Sequence, residues 1–247
     1  MGSTWLLNIR AHSIDRNCSS PGRTRRRDLA ELAGIYALIL LVVWTPRPWD
    51  IAVWAIASLI TAVVVGMSYD GLRSMGICTY NLMRSLWAVP VSLAIGAAAV
   101  FCAMYLHTLH LPGSTAVLVG HFGLYAVWAM VQQLMLQYFF LARAMRLLHS
   151  SSPAVALTAG LFAVAHLPNP VLTIITFICG LAACYFFLHY RNLWPLAVAH
   201  AILGIAIAIS VPNSLNHNMR VGIGYITYVD HTVLAQTARS AKPERPY

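Results

Sequence analysis

Long apolar runs separated by short polar loops dominate the chain. They predict helical membrane spans at about 29–46, 50–68, 86–107, 115–148, 153–168, 170–189 and 192–212. A bilayer core takes roughly 20 helical residues to cross, and most of these runs approach or exceed that length. The run at 115–148 would measure about 50 Å as one helix, so it must tilt, extend beyond the lipid or break. The pattern predicts an all-α, polytopic transmembrane bundle of about seven to eight helices.

Polar side chains interrupt three of these runs at positions that water would not reach in a bilayer. Gln132, Gln133 and Gln137 lie in the fourth run, His166 lies in the fifth, and His200 lies in the seventh. Polar groups at such depth are costly and are functional-site candidates for that reason. At a rise of 1.5 Å per residue, they lie about 12–24 Å from the inner ends of their spans. We therefore expect them to share one intramembrane cavity.

Composition and charge strengthen the membrane interpretation. The chain is 59% hydrophobic and 9% charged, whereas a soluble domain carries about 25% charged residues. A soluble helical protein with a very large core is the weaker alternative. The net charge of +9 is concentrated near the start of the chain, in Arg10, Arg16, Arg23, Arg25, Arg26 and Arg27. Beside a membrane span, such a cluster is typical of a cytoplasmic anchor on anionic lipid, so we expect no nucleic-acid partner.

The arginine pattern also predicts orientation and domain limits. A cytoplasmic N-terminus places the loops with Arg73 and Arg84, Arg143 and Arg146, and Arg191 inside, and only Arg47 departs from the positive-inside rule. We expect an integral protein of a bacterial inner membrane. Residues 1–28 are predicted to be a basic, disordered cytoplasmic tail, 29–212 the transmembrane domain with its motif core at 120–212, and 213–247 a C-terminal tail of undecided side.

Three sequence segments carry a family resemblance. Gly160-Leu-Phe162-Ala-Val-Ala-His166-Leu-Pro-Asn169 is followed by Arg191-Asn-Leu-Trp-Pro-Leu-Ala-Val-Ala-His200, and both are preceded by Gln132-Gln133-x-x-x-Gln137. Over about residues 120–212 the chain resembles the CAAX-protease and bacteriocin-processing family of intramembrane proteases, also called CPBP or Abi. The resemblance implies a bundle of about eight helices. It also implies a hydrolytic site in a membrane cavity, which cuts near a lipidated or transmembrane segment.

The same resemblance assigns roles to the motif positions, and this chain departs from several of them. In the family, the first motif is Glu-Glu-x-x-x-Arg and its glutamate activates water. The arginine and the second-motif histidine organise the site, and the third-motif histidine and asparagine help to hold the oxyanion. Here Gln132, Gln133 and Gln137 replace the first motif, and Gly204 replaces the asparagine. Glutamine cannot accept a proton at neutral pH, so it cannot be the general base.

The sequence offers few residues that could replace the glutamate as general base. No Asp or Glu lies between Gly71 and Val229, which leaves His166, His200, or Asp70 or Asp230 folding back. We therefore expect catalytic or site-forming roles for Gln132, Gln133, Gln137, His166 and His200. Substrate contacts are predicted for Phe162, Asn169 and Arg220.

The cofactor stays open at this point. A divalent metal is one hypothesis, with His166 and His200 as ligands and His121 or His217 as further ones, because imidazole suits zinc, iron or copper. The alternative is that the buried histidines hydrogen-bond to the glutamines and hold the helices in register.

Three functions remain in view. The first is a CAAX-prenyl-protease-like peptidase homologue with altered or no glutamate-dependent proteolysis. The second is a membrane enzyme that acts on a lipid or isoprenoid-like substrate through His166 and His200, with or without a metal. The third is a non-catalytic binder of lipidated or transmembrane partners. All three work inside the lipid bilayer.

Overall fold

Every regular element in the described residues is helical. The computed structural model describes residues 25–111 and 115–228. Its longer helices are α1 (Arg25–Trp44), α2 (Asp50–Met67), α4 (Ala88–Tyr105), α5 (Thr115–Leu134), α6 (Ala142–Leu148), α7 (Ser151–Val164), α8 (Pro170–Tyr190) and α9 (Trp194–Ser210). Single turns form α3 (Leu82–Ser85), α10 (Asn213–Asn216), a 3₁₀ turn (His217–Met219) and α11 (Ile223–Ile226). The all-α prediction is confirmed.

The number of membrane spans is smaller than predicted. Four stretches of the described chain are long and apolar enough to cross a bilayer: Asp50–Met67, Leu82–Tyr105, Phe122–Leu148 and Pro170–Tyr190. A fifth results if α9 and the segment Asn213–Met219, bent by 116°, are one broken span. The count of seven to eight is not confirmed, because α1 begins with charged residues and α7 has only 14 residues.

The long apolar run at 115–148 changes its helical form without breaking. α5 passes into a π-helical segment at Met135–Leu141 and then into α6, and the residues at both junctions keep helical backbone angles. A π turn rotates the following residues relative to an α-helix and is frequent at functional sites. This one lies directly after Gln133 and contains Gln137.

Hydrogen bonds and ion pairs gather the arginine-bearing segments at one end of the bundle, here called the arginine end. Arg143 pairs with Glu31, and Arg146 pairs with Asp28 at 2.7 Å, which joins the start of α1 to α6. Nearby in the bundle, the Asn192 side chain donates to the carbonyls of Cys78 and Tyr80, at 2.9 Å each. The membrane side on which this end lies stays a prediction.

The opposite end is closed by the segment that follows α9, here called the cap segment (213–228). The backbone N–H of Gly222 donates to the carbonyl of Leu167 at 2.8 Å. A Cβ at Gly222 would lie 2.2 Å from the carbonyl oxygen of Val43, so this turn packs against the end of α1 and leaves no room for a side chain. Residues 1–24 and 229–247, which hold most of the predicted N-terminal tail and much of the C-terminal tail, lie outside the described residues.

Helix packing leaves one side of the bundle open. α4 and α5 pack on α9, α7 packs on α8, and α1 packs on α6. The core between α5, α8 and α9 contains Leu136, Cys184, Phe187 and Leu196. α2 packs mainly against α1, and Ala57 is its only buried residue. The space between α2 and the rest of the bundle is therefore available for a cavity.

Candidate intramembrane site

A large apolar cavity occupies the centre of the bundle. Its volume is about 1370 Å³, and α1, α2, α4, α5, α7, α8 and α9 all contribute to its wall. Trp54, Val91 and Trp128 line it and are also about half exposed, at 53%, 46% and 47%. The cavity is therefore open to the outside of the bundle between helices.

A chain of side-chain hydrogen bonds links the first and third motifs at this cavity. Gln137 Nε2 donates to Gln133 Oε1 at 3.1 Å, and Gln133 Nε2 contacts His200 Nδ1 at 3.0 Å. Because a side-chain amide nitrogen can only donate, Gln133 Nε2–H donates to His200 Nδ1. The proton of a neutral His200 ring then lies on Nε2. The site is therefore uncharged and internally hydrogen-bonded.

Gln133 and Gln137, the two glutamines of this hydrogen-bond series, differ in their access to the cavity. Gln133 is 4% exposed and lines the cavity together with Gln132, whereas Gln137 is 1% exposed and lies behind Gln133, outside the lining. The Oε1 atom of Gln137 is buried with no hydrogen-bond partner in the described part of the chain. Buried unsatisfied polar atoms are uncommon in native proteins and call for an explanation.

His166 comes to the same cavity from the end of α7. Its Nδ1 lies 2.7 Å from the backbone carbonyl of Phe162, which can only accept. Nδ1 therefore carries the proton, and the neutral ring has its acceptor at Nε2. The Phe162 ring lies between the two histidines, with its centroid 4.9 Å from that of His166 and 6.0 Å from that of His200.

Two residues expected to contact substrate lie outside the cavity wall. Asn169 is fully buried and caps α8 by accepting from the N–H of Leu172 at 3.1 Å. Its amide nitrogen donates to the carbonyls of Asn216 and Arg220, at 2.9 Å and 3.1 Å. The Arg220 guanidinium lies over the Tyr228 ring, at 5.4 Å from its centroid. Both residues hold the cap segment, whereas Phe162 does line the cavity.

Two of the predicted metal ligands, His166 and His200, line the cavity. Among the described residues, no three His, Cys, Asp or Glu side chains are grouped closely enough to hold a metal ion. His217 stacks on Tyr225 with ring centroids 4.0 Å apart and does not line the cavity. The side chain of His121 lies outside the described part of the chain. A metal at His166 and His200 stays a prediction.

Tyr125 is a residue of this site that sequence reasoning missed. It lies on α5, lines the cavity, and packs edge-on against His200 with ring centroids 6.4 Å apart. The sequence feature that could have indicated such a residue is Gly204. A glycine in place of the family's asparagine leaves space for a larger side chain from a facing helix.

Comparison with known proteins agrees with the motif residues. The family model described as "Type II CAAX prenyl endopeptidase Rce1-like" matches residues 114–206. No curated protein and no solved structure matches the chain significantly. The matched range contains all three motif segments and the Gln133–His200 contact. Over residues 114–206, the chain is therefore similar to the CAAX-protease and bacteriocin-processing family.

Proposed function

We propose that this protein binds the lipid-modified end or the membrane-embedded segment of a peptide in its cavity and does not cleave it by glutamate-dependent hydrolysis. The observation that carries this proposal is the Gln133–His200 hydrogen bond of 3.0 Å. An amide holds the histidine in the place where the family has a carboxylate, and an amide cannot take a proton from water at neutral pH.

The cavity supports a lipid-bearing ligand. Its volume of about 1370 Å³ exceeds the roughly 300–1,000 Å³ of ordinary small-molecule sites. Most of its wall is made of aliphatic and aromatic side chains, and the polar residues Gln132, Gln133, His166 and His200 lie together. A ligand with a long apolar chain and one small polar region matches this distribution.

The test measures binding and cleavage of one substrate. Full-length protein in detergent is incubated with a fluorescent farnesylated CAAX peptide. We expect saturable binding without cleavage. Robust cleavage by the wild type that is lost in Asp70→Asn or Asp230→Asn would overturn the proposal, because a loop or tail carboxylate would then act as the base. Asp50→Asn, at an exposed ion pair with Arg47, is the matched control.

A second candidate function is histidine-dependent chemistry on a lipid substrate. The observation that favours it is the bond from His166 Nδ1 to the Phe162 carbonyl, because it directs the basic Nε2 of the neutral ring away from that carbonyl. An imidazole with a free acceptor can serve as a general base or a metal ligand.

The two candidates differ in their response to histidine substitution. If the protein turns over a lipid or peptide substrate, His166→Ala and His200→Ala should each abolish turnover. Loss of turnover on chelation, with recovery by one specific ion, would add a metal. Turnover that persists in both variants would rule out this function at this site.

A further inference from the structure

The space at Gly204, where the family's third motif has an asparagine, is filled by Tyr125 from the neighbouring helix α5. A Cβ placed on Gly204 would lie 1.9 Å from the hydroxyl oxygen of Tyr125 and 2.5 Å from its Cζ. The phenol therefore occupies the space where a side chain at position 204 would begin. Gly204 follows His200 by four residues on α9, so the two positions share one helix face. The Tyr125 hydroxyl lies against Gly204, one helical turn from His200, and the Tyr125 and His200 ring centroids are 6.4 Å apart.

Tyr125 and His200 can each donate a hydrogen bond at the cavity wall. Gln133 occupies His200 Nδ1, so the ring proton is on Nε2. A tyrosine hydroxyl can donate as well as accept. Both side chains line the cavity, and the sequence has no carboxylate between Gly71 and Val229 that could accept from them. This part of the cavity therefore favours an oxygen atom that accepts hydrogen bonds.

We propose that the Tyr125 hydroxyl and the His200 Nε2–H together bind a carbonyl or carboxylate oxygen at the head of a long-chain ligand. The apolar wall takes the chain, and Tyr125 selects the head group. The inference rests on the proposed function, and it names the chemical group that the site recognises. A fatty acid and the carbonyl next to a lipidated cysteine both present this chemistry.

The experiment titrates full-length protein in detergent micelles and counts bound ligand by native mass spectrometry. The ligands are palmitate, N-acetyl-S-farnesylcysteine methyl ester, and hexadecane as a chain without a head group. Tyr125→Phe removes only the hydroxyl. Tyr185→Phe is the matched control, because Tyr185 lines the same cavity from α8 and is not part of the donor pair.

We expect Tyr125→Phe to weaken binding of at least one headed ligand about fivefold to tenfold, as the loss of one hydrogen bond does. Hexadecane binding should stay the same, and Tyr185→Phe should bind all three ligands like the wild type. The inference is overturned if Tyr125→Phe leaves both headed ligands unaffected, if it weakens hexadecane equally, or if the wild type does not prefer headed ligands to hexadecane.

A second pair of variants tests the placement of the polar group. Gly204→Asn should lower the melting temperature, because its side chain would collide with the phenol. Adding Tyr125→Ala should restore the melting temperature and regain binding of the headed ligand, since the asparagine amide then stands where the hydroxyl stood. Failure of the double variant to recover either property contradicts the placement.

The ligands also separate the two proposals. Binding of palmitate with Tyr125 dependence, and no binding of the farnesylated compound, would support this inference and contradict the proposed peptide ligand. Binding of the farnesylated compound that does not depend on Tyr125 would support the proposed peptide ligand and contradict this inference.

Discussion

At the scale of single residues, the first-motif glutamines form a mutually consistent set. An arginine at position 137 without a carboxylate partner would be an unpaired buried charge, which costs several kcal/mol. Gln137 instead donates to Gln133, and Gln133 engages His200. Gln137, Gln133 and His200 therefore stay connected by hydrogen bonds although neither glutamine is charged.

The first prediction concerns restoration of the family motif. Gln132→Glu with Gln133→Glu should lower stability by about 2–4 kcal/mol, because two adjacent carboxylates would share a site of low dielectric. Adding Gln137→Arg should recover roughly half of that loss, because the guanidinium would lie next to Glu at position 133. Thermal unfolding in detergent measures all three proteins.

Gln132→Glu alone is the control for this series. Gln132 is partly exposed and lines the cavity, so a single carboxylate there should have a smaller effect. Equal stability of the double and triple variants would argue against a shared buried site.

At the scale of helices, a charge network holds α1 against α6 at the arginine end. The Arg143 side chain is 1% exposed, and its Nε donates to Glu31 at 3.0 Å. Its guanidinium also donates to Ser68 Oγ at 3.0 Å and lies 3.6 Å from the centroid of the Phe139 ring. α2 follows α1 in the chain and ends next to Ser68, so Arg143 connects three helices.

The second prediction tests this network. Arg143→Met should destabilise the protein by about 3 kcal/mol, because it removes a fully buried guanidinium from the partly buried Glu31 carboxylate, which keeps its ion pair with Arg27. Replacing both members, as Arg143→Met with Glu31→Gln, should be milder. Arg47→Met, at a surface ion pair, should change stability little. Chemical unfolding in mixed micelles gives the comparison, and equal losses for Arg143→Met and Arg47→Met would contradict it.

The third prediction concerns the cap segment. Asn169→Ala removes the N-cap of α8 and the bonds to Asn216 and Arg220. A lost cap, together with lost donors to the buried Asn216 carbonyl and the partly buried Arg220 carbonyl, should cost about 2–3 kcal/mol. We expect the variant to exchange amide hydrogens faster than the wild type across residues 213–228. Exchange in the arginine end should change less. Hydrogen-exchange mass spectrometry measures both regions.

Thr227→Val is the control for the cap segment. Its exposed hydroxyl bonds only to the Ile223 carbonyl of its own turn, at 2.9 Å, so exchange outside that turn should not change. Unchanged protection of residues 213–220 in Asn169→Ala would show that Asn169 does not hold this segment.

At the scale of the whole molecule, the cavity should limit ligand binding by its free volume. The fourth prediction is that Ala182→Trp weakens binding of a farnesylated peptide at least tenfold, because Ala182 lines the cavity and an indole would fill space that the chain needs. Ile178→Trp, one turn earlier on α8 and outside the cavity lining, should bind normally. Both variants should unfold at the wild-type temperature, since neither position is buried. Equal affinities of the two variants would place the ligand elsewhere.

The sequence by itself determined the helical class, the membrane environment and the family resemblance. Apolar runs of about 20 residues with few charges predict helices in lipid, because a helix satisfies its backbone polar groups internally over such a length. The order and spacing of the segments around His166 and His200 predicted the family resemblance, and the absence of Asp and Glu between Gly71 and Val229 limited the chemistry that the site can perform. These conclusions depend on composition and local order, which the sequence displays directly.

Only the tertiary structure decided which polar residues form the site. Gln133 and Gln137 are four residues apart and look equivalent in sequence, and both are buried, yet only Gln133 lines the cavity, whereas Gln137 lies in the π-helical segment. Asn169 resembles a site residue in sequence but caps α8 and holds the cap segment. Tyr125 belongs to no motif and reaches the site because α5 packs on α9, where Gly204 makes room. Contacts between distant helices depend on how side chains fill shared space, and no local pattern encodes that.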